Sequence, residues 1–197
     1  MDVLPGFLVA GALLAGSPGP ATLSLAASGA AFGTRRSWSY FAGLVAGMAV
    51  VVALVASGLV GLTLALPGVG PAVTALAGLY LVWLAWRIAT APPLAGDGAR
   101  GDPPGMAAGL LLSLVNPKGY AAMAALQSGF VLVPRDALLD AGAKLALIVL
   151  VIALVNMVWL RAGTLLARAF RDPRLNRAIN IVFALALVAS VAVALLV

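Results

Sequence analysis

Apolar residues occupy six long runs along the chain, separated by short segments that are polar or rich in proline and glycine. Each run has about 20 residues or more, which is the length an α-helix needs to cross the hydrocarbon core of a bilayer. Because backbone groups inside a bilayer must bond to one another, we interpret every run as a helix. The six predicted spans cover residues of about 5–31, 40–65, 70–89, 106–132, 141–162 and 175–197.

Two of these runs contain residues that the interior of a helix does not accommodate. Ser17-Pro18-Gly19-Pro20 lies in the middle of the first run, and Asn116-Pro117-Lys118-Gly119 interrupts the fourth. Proline lacks a backbone donor and clashes with the preceding turn, so a helix that enters either segment must break there. We expect both breaks near the middle of the membrane, with the helices resuming near Ala21 and Tyr120.

The composition supports a membrane protein and narrows the chemistry. Hydrophobic residues make up 63% of the 197 positions and charged residues 9%, with a mean hydropathy of +1.13, which is not the composition of a soluble domain. The absence of cysteine and histidine argues against thiol chemistry and the usual transition-metal sites. We therefore expect an all-α integral membrane protein with no metal and no cofactor, and an enzyme is the least favoured class because no nucleophile and base can be paired.

The distribution of basic residues predicts the orientation. Six spans place nine arginines on one side of the membrane and only Arg135 and Lys144 on the other. The positive-inside rule assigns the arginine-rich side to the cytoplasm and puts both termini outside. The net charge of +6 is then a topology signal, not a sign of nucleic-acid binding. A five-span arrangement with an internal N-terminus is the alternative. The nine arginines are Arg35, Arg36, Arg87, Arg100, Arg161, Arg168, Arg171, Arg174 and Arg177.

A polar segment at 92–105 divides the chain into two halves, 1–91 and 106–197, each with three predicted spans. Because three is odd, the second half enters the membrane from the opposite side, which defines an inverted-topology repeat. Pro18 and Pro117 are 117 − 18 = 99 positions apart, a faint echo of the same pattern in both halves. We therefore predict two inverted three-helix repeats joined by a cytoplasmic linker, with the first helix of each repeat broken.

Broken helices at matching positions of two inverted repeats are the strongest sequence indication of a transport site. The resuming helices offer unpaired N–H groups and the ending helices offer carbonyls, which together suit the two charges of an amino acid. The alternative is that the prolines only kink their spans. The candidate substrate-binding residues are Ser17, Pro18, Gly19, Pro20, Thr22, Asn116, Pro117, Lys118 and Gly119.

Lys118 is the charge that lies deepest in a predicted span, about a dozen residues from its end. Such a lysine needs an anion or water, or it loses its proton because desolvation disfavours the charged form. We assign all six aspartates to chain ends or polar connections, so no carboxylate within a span is expected to pair with it. Lys118 is therefore the candidate partner of a substrate carboxylate and the candidate for proton coupling. A structural role, in which the ammonium caps carbonyls at the breaks, is the alternative.

Small and polar residues elsewhere in the spans favour helix packing. Gly43-x-x-x-Gly47 in the second span predicts a face where two helices approach closely. The spans contain further polar residues, including Asn156, and we expect most of them to join helices and a minority to line a pathway.

Four motifs in this order resemble the signatures of the LysE/RhtB amino-acid exporters: Ser17–Pro20, Gly33-Thr34-Arg35-Arg36, Gly43-x-x-x-Gly47 and Asn116–Gly119. The resemblance covers essentially the whole chain in length, span count and motif order. It implies a multi-pass protein of the bacterial inner membrane that exports amino acids or related metabolites. It also implies an antiporter driven by the proton gradient, and it allows for a homodimer.

Departures from the family pattern bear on the substrate. Members that export basic amino acids tend to carry an acid just after the second-span glycines, where this chain has Met48, and another after the Asn-Pro motif, where Gly119–Gln127 has none. A cationic side chain would find no carboxylate here, so we expect a neutral or apolar amino acid as substrate. The alternatives are export of another small metabolite or a cation on the same scaffold, or a membrane scaffold that transports nothing. The segment Ser128-Gly129-Phe130 keeps only the Phe of the family's Pro-Gln-Phe ending.

Overall fold

The computed structural model describes residues 3–58 and 102–165, together with positions 67–68, 79, 82, 86, 90, 174–175, 177–179, 181–182 and 185. Most of the predicted third and sixth spans and of the 92–105 linker lies outside the described residues. Within the described part of the chain, every regular element is an α-helix. These helices are α1 Val3–Gly16, α2 Pro20–Arg36, α3 Trp38–Ala56, α4 Met106–Leu114, α5 Pro117–Gly129 and α6 Ala137–Leu165.

Several of these helices have the length and composition of membrane spans. Among the described residues, α3 and α6 are each long and apolar enough to cross a bilayer. The α1–α2 pair passes the same test as one span that is bent by 63°. The prediction of an all-helical membrane protein is confirmed for this part of the chain.

Both proline-containing segments interrupt their helices, and the helix after the second break begins earlier than the sequence suggests. α1 ends at Gly16 and α2 begins at Pro20; α4 ends at Leu114 and α5 begins at Pro117. The expected start near Ala21 is confirmed to within one residue, whereas the expected start near Tyr120 is wrong, because proline is compatible with the first helical position, where no intrahelical N–H bond is lost. Lys118 and Gly119 therefore belong to the first turn of α5 and not to the break.

The predicted turn at Gly33–Arg36 lies within the last part of α2. Gly33 has φ 77°, a left-handed conformation that strongly favours glycine, and it kinks the helix there. Ser37 then separates α2 from α3, and its hydroxyl donates to Gly33 O at 3.0 Å. The family-like motif thus ends one helix and starts the next within a few residues.

Helix α6 supports both parts of the first broken helix. A Cβ added at Gly11 would lie 2.7 Å from Ile148 Cδ1, and one added at Gly16 would lie 3.7 Å from Val155 Cγ1, so α1 runs parallel to the first half of α6. Further along α6, Gly163 packs directly on the Ala26 carbonyl of α2. α6 therefore spans the break and fixes the positions of α1 and α2.

Helices α3 and α4 pack with their backbones in contact. A Cβ added at Gly43 would overlap Met106 O, one at Gly47 would lie 2.8 Å from Leu110 O, and one at Gly109 would overlap Tyr40 O. Small residues permit this approach, as they do in other membrane helix pairs. Gly43 and Gly47 thus lie on the face of α3 that contacts α4.

The two broken helices run antiparallel and lie side by side. The start of α1 meets the end of α5, where the Phe7 and Phe130 rings form an edge-to-face pair with centroids 5.7 Å apart. Beyond this pair, Gly11 lies near Leu126. This alignment brings the break after Gly16 to the break before Pro117.

Candidate functional site

The side chain of Lys118 joins the two breaks. Its ammonium donates to the carbonyl of Ser17 and, at 3.2 Å, to the carbonyl of Pro18. Carbonyls just beyond a helix C-terminus lack intrahelical partners and lie at the negative end of the helix dipole. Lys118 of α5 therefore binds the exposed end of α1, about a hundred residues away in sequence.

The backbone around Gly19 is fitted closely to this lysine. A Cβ at Gly19 would lie 2.9 Å from Lys118 Cδ and 3.0 Å from Lys118 Nζ. The hydroxyl of Thr22 accepts from Gly19 N at 3.0 Å and donates to Gly19 O at 3.1 Å. Thr22 therefore closes the N-terminus of α2, and its hydroxyl is occupied by this local capping.

A cavity of about 50 Å³ opens beside the Lys118 contact, which is room for a few water molecules. Five of the sequence-predicted site residues line it, whereas Ser17 and Pro18 only hold Lys118, and Pro20 and Pro117 only begin their helices. The five lining residues are Gly19, Thr22, Asn116, Lys118 and Gly119.

Asn116 is the N-terminal capping residue of α5, yet its side chain makes no capping hydrogen bond. The residue is only 4% exposed, and within the described residues its Oδ1 has no partner. An unpaired polar group in a buried position costs about 1–3 kcal/mol. The Asn116 amide is thus available to bond to whatever occupies the cavity.

Eight of the residues that line the cavity are outside the sequence-predicted set, and Met48 and Asn156 are the two that bear most on its chemistry. Met48 of α3 lies against Gly119, where an added Cβ would be 3.1 Å from its sulfur. Asn156 of α6 also lines the cavity, and so falls in the minority of polar span residues that we expected to line a pathway. Its position as an amide in the middle of a long apolar helix was the available signal. Together with Met123 and Ile152, Met48 forms the apolar part of the wall.

A second lysine, Lys144, is buried at the C-terminal end of α5. Lys144 Nζ is 2.7 Å from Asp140 Oδ2 and donates to Gln127 O and Phe130 O, both at 3.0 Å. The sequence-based placement of Asp140 in a polar connection is wrong: it lies in the first turn of α6 and is 8% exposed. The i,i+4 spacing of Asp140 and Lys144 was the sequence signal for this pair.

The carboxylate of Asp140 also organises the connection between α5 and α6. Its Oδ1 accepts from Leu132 N at 2.6 Å and from Val133 N at 2.9 Å. Both charges of this pair are thus fully engaged by the protein itself.

A known protein family matches this chain over most of its length. The sequence model of the LysE type translocator family matches residues 12–197. The chain belongs to the LysE family. Relatives of this LysE-family chain include the cysteine/O-acetylserine efflux protein of Salmonella typhimurium, 35% identical, and that of Escherichia coli, 34% identical. Each alignment covers 176 residues and 87% of both chains. No solved structure matches the chain.

Membership of the LysE family confirms the resemblance drawn from the four motifs. It also identifies the chain as a membrane-embedded translocator and not an enzyme, in agreement with its apolar helices.

Proposed function

We propose that this protein exports amino acids with uncharged side chains from the cytoplasm and binds them between its two broken helices. The observation that carries the proposal is the contact of Lys118 with Ser17 O and Pro18 O, which unites the two breaks beside a cavity. Cysteine and O-acetylserine, the compounds named for the relatives, are amino acids whose side chains carry no charge at neutral pH in the thiol and ester forms.

The substrate carboxylate would bind at Lys118. An ammonium group has three N–H donors, and the two carbonyls at the first break use two of them. The N-terminal turns of α2 and α5 contribute positive dipole ends near the same point. The substrate ammonium would bind acceptors on the same surface, namely the Asn116 Oδ1 and the carbonyls of Ser17 and Pro18.

The remaining predicted residues would shape this site. Gly19 and Gly119 let the substrate approach the backbone, Thr22 holds Gly19 in place, and Pro20 and Pro117 start the two helices at the breaks. These five residues would thus shape the site in which Ser17, Pro18, Asn116 and Lys118 bind the substrate.

The cavity wall favours a neutral side chain. Met48 occupies the position where the resemblance implies an acid in exporters of basic amino acids, and it lines the cavity. No carboxylate is among the described residues that line this cavity. A cationic side chain or a metal cation would therefore be buried without a counter-charge, which is strongly unfavourable.

Transport would proceed by alternating access of two inverted three-helix repeats, residues 1–91 and 106–197. The antiparallel alignment of the two broken helices supports this architecture, because inverted repeats require it. Proton coupling would run through Lys118, whose carbonyl partners can hold an ammonium between transport steps. The inner membrane, extracytoplasmic termini and a homodimer complete the proposal.

The test is uptake by inverted membrane vesicles, into which an exporter moves its substrate. Vesicles that contain the protein and an inside-acid proton gradient are supplied with labelled serine, cysteine, leucine or lysine. We expect neutral amino acids to accumulate and lysine to stay at the level of protein-free vesicles. Lys118→Ala should remove the accumulation, whereas Arg135→Ala, at an exposed turn residue, should retain it.

Two results would contradict the proposal. One is accumulation of no amino acid above protein-free vesicles by the wild type. The other is normal transport by Lys118→Ala.

A further inference from the structure

Asn156 lies in the middle of α6, is 4% exposed and lines the cavity beside Lys118. Eight polar or charged side chains are buried in the described part of the chain. Six of them are bonded within the protein, namely Thr22, Ser28, Ser37, Ser113, Asp140 and Lys144. Asn116 and Asn156 are the two for which the described residues provide no such bond; both line the same cavity, and of their amide atoms only the Asn116 Oδ1 is fully buried without a partner.

This pattern argues against a packing role for Asn156. An amide that joins membrane helices does so by a hydrogen bond to the neighbouring helix. The Asn156 side chain makes none with a described residue, although Ser113, at another helix contact, donates to Leu44 O at 2.9 Å. An amide that lines a cavity and makes no bond to the described residues is free to bond to an occupant of that cavity.

The two amides have different surroundings, and each is therefore placed for a different part of the substrate. Asn116 lies two residues from Lys118, where the backbone groups of the breaks converge. Asn156 lies one turn of α6 from Ile152, which packs in one apolar cluster with Met48 and Met123. Asn116 is thus placed for the charged end of an amino acid, and Asn156 for its side chain.

We propose that Asn156 contacts the substrate side chain and selects small amino acids that carry an uncharged hydrogen-bonding group, such as a hydroxyl, thiol or ester. This inference rests on the proposed function and names its substrate class. A site that bonds to such a group discriminates against an alkyl analogue, because binding the analogue leaves the buried amide unpaired. The small size of the cavity adds a limit on side-chain length.

The experiment compares serine with 2-aminobutyrate, which replaces the hydroxyl by a methyl group of similar size. Initial uptake rates into inverted vesicles are measured for the wild type, Asn156→Leu and Asn156→Gln. We expect the wild type to prefer serine by about tenfold. In Asn156→Leu the preference should fall to within about twofold while 2-aminobutyrate is still transported. Asn156→Gln keeps an amide and should retain part of the preference.

Several results would overturn the inference. Equal transport of both compounds by the wild type would overturn it before any variant is tested. An unchanged preference in Asn156→Leu shows that the amide reads another group or binds only water. Loss of transport of both compounds in an Asn156→Leu protein that is monodisperse and melts normally shows that transport in general needs Asn156, and that the amide does not select the side chain. A wild type that transports no amino acid instead defeats the proposed function itself.

Discussion

The two lysines of α5 and α6 have closely similar backbone partners but different charge partners. Lys118 donates to Ser17 O and Pro18 O beyond the end of α1, and Lys144 donates to Gln127 O and Phe130 O at the end of α5. Each ammonium therefore holds the carbonyl end of a helix. Lys144 in addition contacts Asp140 at 2.7 Å, whereas Lys118 has no carboxylate partner among the described residues.

This difference separates a structural cation from one that can bind a ligand. The charge of Lys144 is neutralised by the chain, and the other oxygen of Asp140 is occupied by two backbone N–H groups. Lys118 instead faces a cavity that is also lined by Asn156 and by Asn116, whose Oδ1 has no partner among the described residues. The feature that distinguishes Lys118 is thus the missing counter-charge, and not its contact with helix-end carbonyls, which Lys144 shares.

The largest expected effect concerns the stability that the Asp140–Lys144 ion pair gives to the fold. Asp140→Ala would leave Lys144 buried without a carboxylate and would free Leu132 N and Val133 N, at a cost of about 3–5 kcal/mol. Asp136→Ala removes only an exposed cap of α6 and should cost about 1 kcal/mol. Unfolding of the purified variants in denaturant would measure both. Equal losses of stability in the two variants would show that Lys144 does not need Asp140 as its counter-charge.

The next effect concerns a substitution that places a carboxylate near Lys118, as Asp140 lies beside Lys144. Met48→Glu places a carboxylate in the wall of the Lys118 cavity, where it competes with the substrate for the ammonium. Transport of neutral amino acids should fall by about tenfold, as expected for loss of a charge-assisted hydrogen bond. Met48→Gln has the same shape without the charge and should transport at close to the wild-type rate. Similar rates in the two variants would show that Lys118 does not need to be free.

The smallest effects compare a glycine near each lysine. Gly19→Ala places a methyl group against the flexible Lys118 side chain, which must shift, and transport should fall by a few-fold. Gly129, next to the Lys144 acceptor Phe130, has open space at the Cβ position, so Gly129→Ala should leave transport unchanged. Initial rates in vesicles at matched protein content would decide. The reverse order of effects would count against the Lys118 cavity as the site.

Features that depend on local chemistry could be predicted from the sequence. Proline at positions 18 and 117 forces interruptions wherever the rest of the chain lies, and uninterrupted apolar runs identify membrane helices. Lys118 stands out for the same reason, because a charge deep in an apolar run needs an explanation whatever surrounds it. These predictions needed no knowledge of which helices touch.

Features that depend on packing could not be predicted in the same way. Asp140 looked like a loop residue because α6 begins before the apolar run does, and its burial follows from the packing of Lys144 against the end of α5. Whether Asn156 bonds to a neighbouring helix or lines a cavity is decided by which helix faces it, and hydropathy carries no such information. The predicted start of α5 near Tyr120 was a smaller error of the same kind, because this helix also begins earlier, at Pro117.

The central claim is that Lys118 binds the carboxylate of the substrate, and binding to the purified protein tests it most directly. Affinities of serine and serinamide, which lacks the carboxylate, are measured by titration calorimetry for the wild type and Lys118→Ala. We predict that the wild type binds serine at least about tenfold more tightly than serinamide. Lys118→Ala should bind the two compounds equally. A variant that keeps the wild-type preference for serine would contradict the account.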